Sequence, residues 1–198
     1  NVRIDTGENL SNTWHYHPEI EIILLKRSQG TRIVGNSVET FKDNDLIIIG
    51  KNLPHAFLHE EKNIGKDNSP EAMMIHFYEN FLGNEFLNLP EFREINTLLM
   101  KARLGLCVTE KGKEQLVPLV EKSFHASPIE RIILLLEILK SLTASDSHRV
   151  LSNDGQHLQS RNNDKRFNGI LDYTYSNYDE HINIVDVAKI ANLTKESF

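Results

Sequence analysis

Between Trp14 and Tyr78 the chain never goes far without a turn, and that rhythm is what most limits its fold. Ile20-Glu-Ile-Ile-Leu-Leu25 is a β-branched and apolar run, closed by a turn at Ser28-Gln-Gly30. Thr31-Arg-Ile-Val34 and Ser37-Val-Glu-Thr-Phe41 flank Gly35-Asn36, a two-residue hairpin signal. Lys42-Asp-Asn-Asp45 turns the chain again, Leu46-Ile-Ile-Ile49 reads as a buried strand, and residues 50–54 break it. His55-Ala-Phe-Leu-His59 resumes extended structure, a polar loop covers 60–70, and Glu71 to Tyr78 carries one more strand. Many short strands divided by turns predict a β sandwich or barrel.

The texture changes after Phe81. Leu89-Pro90 opens a helix over 90–102, with Phe92, Ile95, Leu98, Leu99 and Ala102 at helical spacing. Leu104 to Val108 is expected to return to the sheet. Helices then follow over about Lys113 to Phe124 and Pro128 to Leu142, and the tight turn at 125–127 makes them antiparallel neighbours. The second is apolar around most of its circumference, so it needs burial on more than one side. A second copy of the hairpin is the simplest extra partner, which makes Ile132, Leu135, Leu136, Leu139 and Leu142 the expected homodimer contacts. Residues 145–163 are polar and read as a linker. From 164 to 198 the helical pattern returns, with Phe167, Ile170, Leu171 and Tyr175 on one face. Asn183 is a candidate cap with Asp186 in the box position. Ile184, Val187, Ala188 and Ala191 form a stripe, Asn192-Leu193 a turn, and Thr194 the cap of a further helix that would bury Phe198. Helix, short turn and capped helix outline a helix-turn-helix.

His15, His17 and Glu21 are odd-numbered, so on a regular strand their side chains share one face. Glu19 has the same parity and competes with Glu21. His55 follows the next strand pair. Imidazoles plus a carboxylate match the inner shell of a divalent ion such as Zn2+ or Ni2+. Two other readings stand beside a metal: histidines bonded inside the barrel, and histidines lining an organic-ligand pocket. Arg32 and Glu39 could add polar contacts to such a pocket. His76 alternates with Ile75 and Phe77 and reads as a satisfied histidine facing the lumen. Lys26, Arg27 and Arg131 read as paired or solvated charges.

These motifs resemble those of cupins: His15, His17 and Glu21, then Ser28 and Gly30, then Asp45-Leu-Ile-Ile-Ile-Gly50 and Pro54-His55. Ser28 stands where the family usually has glycine. The resemblance implies a mixed β and α protein with a cupin-type double-stranded β-barrel over 1–110, whose metal positions are His15, His17, Glu21 and His55. Taken with the hairpin at 111–144 and the segment from Ile184 to Phe198, the whole chain resembles AraC-type transcription regulators. That likeness implies a barrel that senses a small-molecule effector, such as a sugar or other polar metabolite. It also implies a dimerising hairpin and a DNA-binding domain of which this chain holds the first part, with Thr194, Lys195 and Ser197 toward DNA. DNA binding is then expected of the full-length protein only, and the chain is expected not to be an enzyme. The rivals are a metal-dependent cupin enzyme, either isomerase or dioxygenase, and a non-catalytic sugar-binding module.

Composition agrees with a cytoplasmic protein that does not cross a membrane. Of the 198 residues 39% are hydrophobic and 25% charged, and the net charge of −6 carries no basic footprint. The lone Cys107 leaves no disulfide framework and fits a reducing compartment. Residues 1–5 are polar and show no leader; the first residue is Asn, so a removed one stays open. The most apolar window, Ile129 to Leu142, is too short and too charged to span a bilayer.

Overall fold

The computed structural model describes residues 1–7, 10, 13–60, 69–152, 169–170, 173–174, 177, 181–195 and 197. Its strands are β1 Val2–Thr6, β2 Ile20–Lys26, β3 Gly30–Val34, β4 Ser37–Phe41, β5 Leu46–Ile49, β6 His55–His59, β7 Glu71–Phe77, β8 Leu106–Val108 and β9 His148–Val150. They make two antiparallel sheets, of order β1-β7-β2-β5-β8-β9 and β4-β3-β6. Among the described residues the α-helices with defined bounds are α1 Arg93–Ala102, α2 Glu110–His125, α3 Pro128–Leu142 and α4 Ile184–Ile190.

The sheets face each other across an apolar layer. Ile23, Leu25, Ile47, Ile49 and Met74 of the larger sheet meet Val34, Phe41 and Phe57 of the smaller. The opposite face of the larger sheet carries Ile22, Leu24, Ile48 and Ile75, which pack on Leu99 of α1, Leu116 of α2 and Ile138 of α3. β2 is therefore buried on both faces, which is why Ile20 to Leu25 shows an apolar run instead of alternation. The expected barrel takes the form of this two-sheet packing. Among the described residues the ladders close no ring, because β1 and β9 end one sheet while β4 and β6 end the other.

Several local expectations are corrected. The extended stretch is not continuous from His15 to Glu21: His15 makes an isolated bridge to His55, Pro18 and Glu19 form a bend, and β2 starts only at Ile20. The segment read as a linker holds a strand, since His148, Arg149 and Val150 pair with Val108, Cys107 and Leu106. Leu151 and Ser152 behind it are buried. A strand of three residues in a polar stretch has no periodicity to read, and pairing with β8 is what holds it. The rest of that expected linker, 153–163, lies outside the described residues, as do most of the loop at 60–70, Phe167, Leu171, Tyr175 and Phe198.

The helices fall close to where the periodicity places them. α2 is capped by Thr109, whose hydroxyl accepts from Gly112 N at 3.1 Å, and α3 starts at a Ser127–Glu130 capping box with Pro128 in its first turn. Arg131 donates to the carbonyls of Ser123 and Phe124 at the end of α2, and Gln115 of α2 donates to Ser141 of α3. The expected dimer stripe is corrected by this packing. Leu135, Leu139 and Leu142 are buried against the chain's own sheet and helices, whereas Ile129, Ile132 and Ile133 are 65%, 38% and 58% exposed. Leu136 is half-buried. No helix among the described residues is long and apolar enough to cross a membrane.

Asn183 Oδ1 caps α4 by accepting from Val185 N at 2.9 Å, while Asp186 pairs with Lys189 instead of completing a box. The helix ends in a Schellman turn: Asn192 takes φ +53°, Leu193 N donates to Ala188 O, and Asn192 N donates to Lys189 O. A Cβ on Gly169 would stand 3.0 Å from Ile190 Cγ2, so Gly169 lies close against α4. Where a second capped helix is expected, the described residues show a turn, with Ser197 N donating to Thr194 O and the Thr194 hydroxyl bonded to the Ser197 hydroxyl.

Candidate metal and effector site

A cavity of about 770 Å³ has His15, His17, Glu21, His55 and His76 at its polar end. Ile23, Phe57 and Met74 continue its wall, and Phe77, Phe81 and Ile132 line it on the helix side. The N-terminal residues Asn1, Val2, Arg3 and Asp5 also border it. Trp14 and Tyr16 do not; Trp14 is buried against Ile33 and Ala56.

Local backbone geometry orients three of the rings. His15 Nδ1 lies 2.9 Å from Thr13 O, His17 Nδ1 3.1 Å from Glu19 O, and His55 Nδ1 2.8 Å from Leu53 O. A carbonyl only accepts, so Nδ1 carries the proton, and in the neutral ring Nε2 keeps its lone pair. A ring nitrogen tied to a carbonyl is how metal-binding imidazoles are commonly held in place.

Glu21 is the hub. Its Oε2 lies 3.2 Å from His55 Nε2 and 3.5 Å from His17 Nε2, and its Oε1 lies 3.4 Å from His76 Nε2. Burial alone would push the Glu21 carboxyl up, but His17 and His55 beside it, with the charge of His55 and His76, hold it far below the usual carboxylate range. Burial lowers the His17 pKa, yet Glu21 outweighs burial and raises it above the usual imidazole value. Burial, with His55 nearby, lowers His15, and burial lowers His76. Glu19 lines the same cavity nearer its surface, with Oε2 3.6 Å from His17 Nδ1 and Oε1 accepting from the Tyr78 hydroxyl at 2.7 Å, while Glu21 is 3% exposed.

The donor set fits a cation. His17 Nε2, His55 Nε2 and Glu21 Oε2 are buried and have no hydrogen-bond partner among the described residues. Such atoms cost about 1–3 kcal/mol each when left unsatisfied. One divalent ion would satisfy all three, and mixed imidazole and carboxylate donors suit Zn2+, Ni2+ and neighbouring first-row ions.

Arg32 does not join this set. Its guanidinium is held by Glu39 at 2.6 Å and Asp45 at 3.1 Å, in a separate cleft with Lys113 and Arg149. Two carboxylates within reach capture a buried cation, and proximity in sequence to a ligand-bearing strand gives no warning of it. His76 was legible only as a lumen-facing histidine. Its place beside Glu21 follows from the β2–β7 register, which pairs the two residues directly. Ser28, where cupins usually have glycine, bonds to His59 Nδ1 through its hydroxyl. Gly30 is needed for closeness: a Cβ there would stand 1.9 Å from Leu58 O.

No family model matches the chain, and no curated protein matches it. Among solved structures it is similar to the AraC-like transcriptional activator CuxR, with 6% identity and a TM-score of 0.45 over 91% of this chain and 59% of that one. It is also similar to unsaturated fatty acid bound ToxT from Vibrio cholerae strain SCE256, at 11% identity and a TM-score of 0.37, covering 98% of this chain and 69% of ToxT. An apo ToxT variant from the same strain gives 10% identity and a TM-score of 0.41 over 98% and 70%. The chain thus spans less than two thirds of the length of CuxR.

Proposed function

We propose that this chain is the effector-sensing part of a ligand-responsive transcription regulator, and that its effector site is the histidine and glutamate cavity. The observation that carries the reading is the convergence of His17 Nε2, His55 Nε2 and the Glu21 carboxylate, buried and unsatisfied, at the inner end of a roomy cavity. A site of this kind binds a divalent ion, or the polar head of a small molecule, or the two together. Ile23, Phe57, Met74 and Phe77 on the remaining wall favour an effector with an apolar body over a bare sugar.

The regulator half of the reading is supported by the sequence resemblance to AraC-type proteins and by α4 with its Asn183 cap and Schellman turn. Thr194, Lys195 and Ser197 follow that turn and are the proposed DNA-facing residues. The exposed stripe of Ile129, Ile132 and Ile133 on α3 is the proposed homodimer contact. The same donor set would serve a metal-dependent isomerase or dioxygenase, which keeps an enzyme as the second reading.

Thermal melts with added NiCl2 or ZnCl2 test the site. An ion at a hundredfold excess over its Kd stabilises the native state by about 2.7 kcal/mol, which raises Tm by roughly 5–10 °C for a chain of this size. The rise should vanish with chelator and in Glu21→Gln. Selection from a random DNA duplex pool, using the product of the complete reading frame, tests regulation. One enriched motif is expected; no enrichment together with metal-dependent turnover of a small substrate would overturn the regulator in favour of the enzyme.

A further inference from the structure

We infer that His76 is a ligand of this centre, and that the ion is held by Glu21, His17, His55 and His76, with His15 outside its shell. The inference rests on the effector-site reading above and replaces one donor of the set that the sequence motifs supply.

The backbone makes the first argument. In the β2–β7 ladder Glu21 and His76 are direct partners, and directly opposed residues project from the same face with Cβ atoms roughly 4.5–5.5 Å apart. Both strands have seven residues, and β2 lies inside its sheet between β7 and β5. His76 is therefore set beside the carboxylate by the register, whatever its rotamer. His15 depends on much less, an isolated bridge to His55 ahead of the bend at Pro18 and Glu19.

Donor spacing makes the second argument. Two donors each 2.0–2.2 Å from one ion, at angles between a right angle and the tetrahedral angle, stand roughly 2.8–3.6 Å apart. Glu21 Oε2 lies 3.2 Å from His55 Nε2 and 3.5 Å from His17 Nε2, and Oε1 lies 3.4 Å from His76 Nε2, so each imidazole is at donor spacing from one oxygen of a carboxylate that would bind through both. His15 makes no such approach to Glu21 among the described residues. A donor atom of His15 comes within 4.8 Å of His17 and His55, and its ring packs on His55 with centroids 4.4 Å apart. His17, Glu21 and His76 form a mutually close triad of their own within the same 4.8 Å.

The experiment is a CoCl2 titration of the whole chain, read by visible d–d absorption and by competition with a chelating dye. His76→Asn and His76→Gln should each weaken Co2+ binding at least tenfold and change the band shape, because a donor is lost. His15→Asn should stay within threefold of the parent and keep the parent spectrum. Far-UV circular dichroism checks that each variant folds. A reading on the unmodified chain keeps the test independent of folding: on adding Zn2+, the ring-nitrogen NMR resonances of His76 should shift as a bound imidazole does, and those of His15 should not. The inference is overturned if the His76 variants bind Co2+ as tightly as the parent, or if His15→Asn loses as much as they do. It is overturned equally if Zn2+ moves the His15 ring and leaves His76 unchanged. If the parent binds neither ion, the metal reading of the cavity falls first, and this inference falls with it.

Discussion

At the scale of single residues, charge placement inside the two-sheet core separates into two groups with different work. Glu21 gathers imidazoles at the cavity; Arg32 gathers Glu39, Asp45 and, through them, Arg149 and Lys113. Glu39 is the member of the second group whose protonation can be followed. The Arg149 guanidinium, against slight burial and with Arg32 adding to it, holds its pKa down to about 2. A pKa below the unfolded value means that the group stabilises the fold above about pH 4.5, and that this contribution is lost as pH falls toward 2. Side-chain exposure of 32% screens the pair, so we expect about 1–2 kcal/mol, less than the full shift would give. Urea melts should show Glu39→Gln less stable by that amount at pH 7 and nearly equal to the parent near pH 2. A second prediction concerns His17. Glu21→Gln removes the partner that raises the His17 pKa against burial, so an NMR titration should find His17 losing its proton at lower pH in the variant than in the parent. The sequence disclosed His15, His17, Glu21 and His55 as a group because their spacing lies within two short stretches. It misplaced Arg32 and did not set His76 beside Glu21, because both positions depend on which strands pair, and pairing is a property of distant segments.

At the scale of elements, periodicity carried the helices, and burial on two faces explains β2. Ile95, Leu98, Leu99 and Ala102 are the buried side of α1, as their spacing requires. What failed was local: a bend at Pro18 and Glu19 within an expected strand, and a strand within an expected linker. Neither shows a readable hydrophobic period, since alternation is recognised over about four residues or more and these segments have two and three. Gly50 shows how tightly the layers meet. A Cβ there would stand 2.4 Å from Ala102 O and 2.5 Å from Ala102 C, at the end of α1. The obstacle is backbone, so Gly50→Ala should cost about 1–3 kcal/mol or more by chemical denaturation, because the helix must shift off the sheet. Thr109→Ala should cost about 1 kcal/mol by the same measurement, through loss of the α2 cap.

At the scale of the whole molecule, α3 is shared between an inner and an outer role. Ile138 is fully buried among sheet and helix residues, whereas Ile132 and Ile133 are exposed. If a second copy docks on the outer stripe, the Ile132→Asp and Ile133→Asp pair should move the chain from dimer to monomer in sedimentation velocity, with the far-UV spectrum unchanged. Ile138→Asp should instead abolish the cooperative melt, since it buries an unpaired charge. β9 has a mechanical meaning beyond its size. It is the edge of the larger sheet, it is three residues long, and it is fastened by Arg149 to Glu39 and, just behind it, by Leu151 N and Ser152 N donating to Gly105 O and Leu104 O. A tension applied across the strand at its C-terminal end loads its few hydrogen bonds one after another, as in unzipping, instead of all together, as in shear. The polypeptide joining the cavity-bearing half to the C-terminal helix is thus anchored by a fastening that small forces can open, and a single-molecule pull on the C-terminus should detach β9 before the strands around the cavity yield.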